Sequence, residues 1–133
     1  MDKPRTKTWV LLAILATGCA TDGPAYGPPP RDVAAVVSLT SMLRFSPDET
    51  RIRVGDTVEW RNGSLFGHTV TFDPSQAADP GDAALPPGVK AFSSGRIPPG
   101  QVYRHTFDVA GVYRYFCSPH EELGMDAVVI VQP

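Results

Sequence analysis

The chain has 133 residues, the length of one domain, and its 42 % apolar and 20 % charged residues permit a packed core and exclude wholesale disorder. A net charge of −2 excludes the basic footprint of a nucleic-acid binder, and 12 Gly with 14 Pro suit a loop-rich β protein better than a helical one. Only two Cys and three His are present, so at most one disulfide can form and a cluster of several metal ions would lack ligands.

The first 18 residues read as an export signal and not as part of the fold. Lys3, Arg5 and Lys7 form a basic segment. Trp9 to Ala16 is an apolar run of eight residues, too short to cross a bilayer. It leads into Ala16-Thr17-Gly18-Cys19. These residues resemble the lipobox of bacterial lipoproteins, which implies that Cys19 is acylated and becomes the first residue of the mature chain. Ala16 departs from that motif, where Leu is usual. The alternative is an ordinary secretory signal cleaved near Gly18 or Ala20, with Cys19 free or removed. On either reading the protein is exported to the periplasmic side of the envelope. Ala20 after the Cys, where Asp is absent, favours an outer-membrane anchor in a Gram-negative cell. Without residues 1–18 the chain keeps nine basic and thirteen acidic residues, net −4, and no Cys pair unless Cys19 is free. Residues 19–32, rich in Pro and Gly, read as a tether, part flexible and part polyproline-like.

The pattern over 33–133 is β. Val33 to Ser38 is Val-rich, and Met42 to Phe45 is a second short piece that ends at Ser46-Pro47-Asp48. Arg51-Ile52-Arg53-Val54 alternates, Gly55-Asp56 turns, and Thr57 to Arg61 alternates again. Ile52, Val54, Val58 and Trp60 are expected to face the core. Asn62-Gly63 signals a turn, and His68 to Phe72 reads as a strand with Val70 and Phe72 inward. Residues 73–100 break the rhythm with six Pro and four Gly and read as a long surface excursion. Gln101 to Asp108, Val112 to Cys117 and Ala127 to Val131 complete the strands. Tyr103, His105 and Phe107 share one face. Seven or eight short strands with turn signals predict an all-β, Greek-key β-sandwich.

Chemistry concentrates in two places. Cys117-Ser118-Pro119-His120-Glu121-Glu122-Leu123-Gly124-Met125 lies between the last two expected strands, with the spacing Cys-x2-His-x4-Met. Gly67-His68-Thr69-Val70 stands near the middle of the chain. Together they offer two imidazoles, a thiolate and a thioether, the donor set of a trigonal His2Cys copper site with a long axial Met. Zinc takes Cys and His readily but Met poorly, so the set favours copper. Taken singly, each residue has a plainer reading: Cys117 a small buried apolar group, Met125 core filler, the histidines ordinary polar residues. Their joint occurrence in this order speaks against that.

With these residues the chain resembles the cupredoxins of the plastocyanin and pseudoazurin group over most of 33–133. Five stretches carry the likeness: Val54-Gly55-Asp56-Thr57-Val58-Glu59-Trp60, Gly67-His68-Thr69-Val70, Phe92-Ser93-Ser94-Gly95, Phe107-x3-Gly111-x-Tyr113-x-Tyr115-x-Cys117, and the Cys117–Met125 loop. The resemblance implies one type 1 copper ion held by His68, Cys117, His120 and Met125. The loop spacing is that of plastocyanins; amicyanin loops are shorter. It also implies that Thr69 and Ser118 link the two copper-binding loops, with the Thr69 N–H a donor to the Cys117 sulfur. Pro119 has no N–H to add a second. Three positions depart from the family: Phe116 where Tyr often precedes the Cys, Gly67 where Pro often precedes the first His, and Asp126-Ala127 after Met125, where a hydrophobic residue and Gly are commoner.

The function implied is a carrier of single electrons that cycles between Cu(I) and Cu(II), and not an enzyme. Electrons would pass through His120, with Phe66, Gly67, Pro119, Leu123 and Gly124 as an apolar rim; loop packing is the alternative for each. The partner expected is a transient redox protein such as a c-type cytochrome, met by a monomer. Glu121 and Glu122 would steer a basic partner, or are plain solvated surface. His105 reads as scaffold, and Tyr113 and Tyr115 as packing residues. The competing function is a copper-binding module for storage, delivery or resistance. A complete four-ligand set argues for retention instead, and a dinuclear site is excluded because it needs two Cys in one loop.

Overall fold

The structure, a computed structural model, describes residues 26–133, so the expected export signal, Cys19 and the start of the tether lie outside the described residues. Among the described residues nine strands form two sheets: β1 (Val33–Leu39), β2 (Phe45–Ser46), β3 (Glu49–Arg53), β4 (Thr57–Asn62), β5 (Thr71–Phe72), β6 (Phe92–Ser93), β7 (Val102–Thr106), β8 (Gly111–Phe116) and β9 (Asp126–Gln132). One sheet has the order β2-β1-β4-β7 and the other β3-β9-β8-β5-β6. The pairs β1/β4 and β3/β9 are parallel and the rest antiparallel, so the chain crosses between sheets repeatedly, as a Greek-key sandwich requires.

The core is an aromatic cluster set by alternation along β4, β5 and β8. Trp60 on β4 meets Phe72 on β5 and Tyr115 on β8, with ring centroids 6.0 and 5.7 Å apart. The Trp60 indole N–H donates to the Tyr115 hydroxyl at 3.1 Å, which satisfies both polar atoms inside the sandwich. Tyr113 and Tyr115 are both buried, as expected of packing residues. His105 on β7 stacks on Phe92 of β6, centroids 3.9 Å apart, and so joins an edge strand of one sheet to an edge strand of the other.

Several expectations are corrected. Val54 is 44 % exposed: β3 ends at Arg53, and Gly55, at φ 89°, turns the chain before Val54 can point inward. The expected piece Met42 to Phe45 reduces to Phe45–Ser46, because Leu43 sits at φ 55° in a turn and Met42 is exposed. The strand expected from His68 is regular only at Thr71–Phe72, though Val70 and Phe72 do face inward. The 73–100 stretch is more than a surface excursion. It supplies β6, a 3₁₀ turn at Pro74–Gln76, and the buried residues Ala83 and Ile97. Ser94 shows how it is held: its hydroxyl accepts the Val70 N–H at 2.8 Å, and its own N–H donates to the Val70 carbonyl at 2.9 Å.

Candidate metal centre

His68 is positioned by a two-sided backbone bridge to Ile97, with N–H to carbonyl distances of 3.2 and 2.7 Å. That bridge seats the imidazole inside the sandwich, fully buried. Cys117, also fully buried, leaves the end of β8 as the chain enters a 3₁₀ turn over Ser118–Leu123. The turn brings His120 back over the thiol. It closes at Gly124, whose φ of 75° suits glycine and whose N–H donates to the Glu121 carbonyl at 2.8 Å. The Cys117 N–H then donates to the Met125 carbonyl at 2.9 Å, tying the two ends of the loop together. Loop length and turn geometry thus converge His120, Cys117 and the buried Met125 on one corner of the sandwich.

Three donors meet there. Cys117 Sγ lies 3.6 Å from His68 Nδ1 and 3.3 Å from His120 Nδ1. All three ligand atoms lie within 4.8 Å of one another, and among the described residues no other group of this kind is found. At bond lengths of about 2.0–2.3 Å for nitrogen and sulfur, one ion can reach all three. The centre therefore fits a single copper ion held by His68, Cys117 and His120. His105, the third histidine, is in the aromatic stack and not in this group.

The surroundings set the protonation of these groups. Burial, then the neighbouring charge of His120, pushes His68 down to about 4, so its ring is neutral and able to ligate at pH 7. Burial pushes the Cys117 thiol up, and hydrogen bonds from Thr69 and the His120 backbone pull it part of the way back. The Thr69 N–H does donate to Cys117 Sγ, at 3.3 Å. The Thr69 hydroxyl accepts the Ser118 N–H at 2.8 Å and lies 3.3 Å from the Ser118 hydroxyl, which links the two segments that carry His68 and Cys117. Pro119 contributes no N–H and lines one recess with Gly67, His68, Thr69 and Arg96.

His120 is half-buried while His68 is fully buried, so His120 is the side of the centre nearer to solvent. On the two segments that carry His68 and His120, Phe66 is 49 % and Leu123 63 % exposed, and Pro119 and Gly124 are exposed too. Leu65, next to Phe66 in the chain, is 85 % exposed and carried no sequence signal beyond its hydrophobicity. Gly67 is half-buried, and the Arg96 guanidinium occupies the space a Cβ there would need. Glu121 differs from expectation. Its carboxylate accepts the backbone N–H groups of Ala78 (2.7 Å) and Asp79 (3.0 Å), so it pins the excursion to the ligand loop and is not a free steering charge. Glu122 is exposed, in a shallow acidic recess with Asp79, Asp82 and Asp126.

Comparison with known proteins agrees with this geometry. Residues 32–132 match the family described as copper binding proteins, plastocyanin/azurin family. The chain is 34 % identical over 90 residues to plastocyanin of Scenedesmus fuscus, covering 68 % of this chain and 88 % of that one. It is 39 % identical over 94 residues to the chloroplastic plastocyanin of Tetradesmus obliquus, a match that covers 68 % of this chain and spans only 59 % of that protein's length. Amicyanin of Paracoccus versutus is 32 % identical over 126 residues, 89 % of this chain and 87 % of its own. The crystal structure of that amicyanin superposes with a TM-score of 0.60 at 33 % identity, over 83 % of this chain and 89 % of the other.

Proposed function

The chain belongs to the plastocyanin/azurin family of copper binding proteins, and on that premise we propose that it shuttles single electrons between redox proteins of a bacterial envelope, anchored there through Cys19. Proteins of this family are electron carriers and not enzymes. One observation carries the reading: two imidazole nitrogens and a thiol sulfur converge on one buried point beside an exposed apolar surface.

In this reading His68, Cys117, His120 and Met125 would hold the copper ion. Copper, when bound, supplies the Cu(I)/Cu(II) couple. Amicyanin variants similar to this chain are known in Cu(I), oxidised and reduced forms. The protein's own part is to hold the donors still. The sandwich fixes His68 and Cys117, and the Thr69 N–H supports negative charge on the sulfur. His120, half-buried, is the way in and out for the electron. Phe66, Gly67, Pro119, Leu123 and Gly124 form the rim against which a partner such as a c-type cytochrome docks briefly. A small apolar rim suits an encounter that must also end. The basic segment, apolar run and Cys19 support export and lipid anchoring.

The test is spectroscopic. The copper-loaded protein should show intense visible thiolate-to-copper absorption, lost in Cys117→Ala and kept in His105→Ala. A colourless native protein would refute the assignment. Colour without electron exchange with any cytochrome would favour copper storage or delivery. In a bacterial host, a radiolabelled fatty acid should be incorporated into the full chain and not into Cys19→Ala.

A further inference from the structure

Ser64 carries no metal-site signal in the sequence, yet its hydroxyl oxygen lies 2.8 Å from His68 Nε2, and both side chains are buried. Donor and acceptor capacity assigns the hydrogens here. The Asn62 side-chain nitrogen donates to the carbonyls of Phe66 (2.7 Å) and Ile97 (2.9 Å), which uses both of its hydrogens. Asn62 Oδ1 must then face Ser64. It accepts the Ser64 N–H at 3.0 Å and lies 2.7 Å from the Ser64 hydroxyl. That hydroxyl has one hydrogen and two oxygens that only accept, Asn62 Oδ1 and the Phe66 carbonyl at 3.0 Å. It also receives the Phe66 N–H at 3.1 Å. Turning its hydrogen toward His68 would leave two close oxygen pairs with no hydrogen between either. The lower-energy arrangement gives the hydrogen to Asn62 and a lone pair to His68. Nε2 of His68 then carries the ring proton, and Nδ1, the nitrogen 3.6 Å from Cys117 Sγ, keeps its lone pair.

We propose that Ser64, held by Asn62, is a positioning residue that fixes the tautomer and ring orientation of His68 before any metal arrives. The inference rests on the reading of His68 as a ligand. Ser64 is not one of the three donors, and its role is exercised through His68, four residues further along the same β4–β5 connection. A partner on the distant ring nitrogen orients a metal-ligating imidazole and raises its basicity. Its loss weakens the imidazole as a donor to Cu(II) more than to Cu(I), so the potential should rise.

Two measurements test this. Long-range ¹H–¹⁵N NMR on the metal-free native protein at pH 7 should show His68 protonated at Nε2 and not at Nδ1. The opposite tautomer would overturn the proposal without any mutation. In the second, Ser64→Ala should bind copper about 10- to 100-fold more weakly, with a raised potential and a mixed His68 tautomer, and Ser64→Thr should restore all three. A folded Ser64→Ala with unchanged affinity, potential and tautomer would also overturn it. Should Ser64→Ala fail to fold, the native tautomer and the Ser64→Thr potential decide. The expected tautomer in a native protein without copper colour would uphold the Ser64–His68 pairing while refuting the copper reading.

Discussion

Glu59 illustrates how a single residue departs from its usual place. It lies on β4 between Val58 and Trp60, which face the core, yet it is itself 1 % exposed. Its carboxylate takes the Arg61 guanidinium on one oxygen and the Arg104 guanidinium, directly across the strand pair, on the other. A carboxylate so far from water persists only when charge and hydrogen bonding are both supplied. Glu59→Gln should therefore destabilise the domain by about 3 kcal/mol, because it leaves two guanidinium groups around a neutral amide. Urea unfolding monitored by Trp fluorescence would show it, and a loss below about 1 kcal/mol would contradict the argument. The copper absorption should not change, since the triad lies outside the ligand cluster. Alternation along β4 identified Val58 and Trp60 as inward, but it also marks Glu59 as outward and therefore wet. What buries Glu59 is the pairing with β7, which no local pattern encodes.

Among the elements, the 73–100 stretch and the ligand loop depend on each other. With little regular structure of its own, the stretch is fastened at a few points: the Ile97 bridge to His68, the Ser94 contacts to Val70, and the Glu121 carboxylate on the Ala78 and Asp79 amides. The last of these ties it to the 3₁₀ turn that positions His120. Glu121→Ala should speed hydrogen exchange at the Ala78 and Asp79 amides at least about tenfold, while global stability falls by only about 1 kcal/mol. Glu121→Gln keeps an acceptor oxygen and should retain most of the protection; equal protection in Glu121→Ala would refute the tie. The Pro and Gly content made an irregular excursion legible. Its fastening points were hidden, because a lone Glu on a loop has the same sequence signature whether it is solvated or caps a distant backbone.

At the scale of the whole molecule, the two sheets close at one flank through the His105–Phe92 stack. Burial holds His105 below the ordinary histidine value, and Asp108 partly opposes that shift. The unfolded chain therefore takes up a proton near pH 6.5, before the folded one does. Stability is full above that pH and falls as the pH drops below it toward the depressed folded value. His105→Phe keeps an aromatic ring on Phe92 and removes the proton, so its unfolding midpoint should change less between pH 7 and pH 5 than that of the native chain. Parallel pH dependences would show that the protonation of His105 does not contribute. The copper-loaded form of this variant should remain coloured, which separates closure of the flank from the metal centre.

Alternation, turn residues and the Cys-x2-His-x4-Met spacing by themselves determined the fold class, most inward positions, and that Cys117 and His120 share one short loop, whereas His68 is brought to them by its bridge to Ile97. These are local properties, since side-chain direction in a strand repeats every two residues and a short loop constrains its own ends. Tertiary structure alone decided that Val54 lies outside and Glu59 inside, that Glu121 is a backbone clamp, and that Ser64 reaches the far nitrogen of His68. Each of those depends on where a strand stops or on which distant backbone passes alongside. Burial and hydrogen-bond partners are set by the packed whole and have no counterpart in any short stretch of sequence.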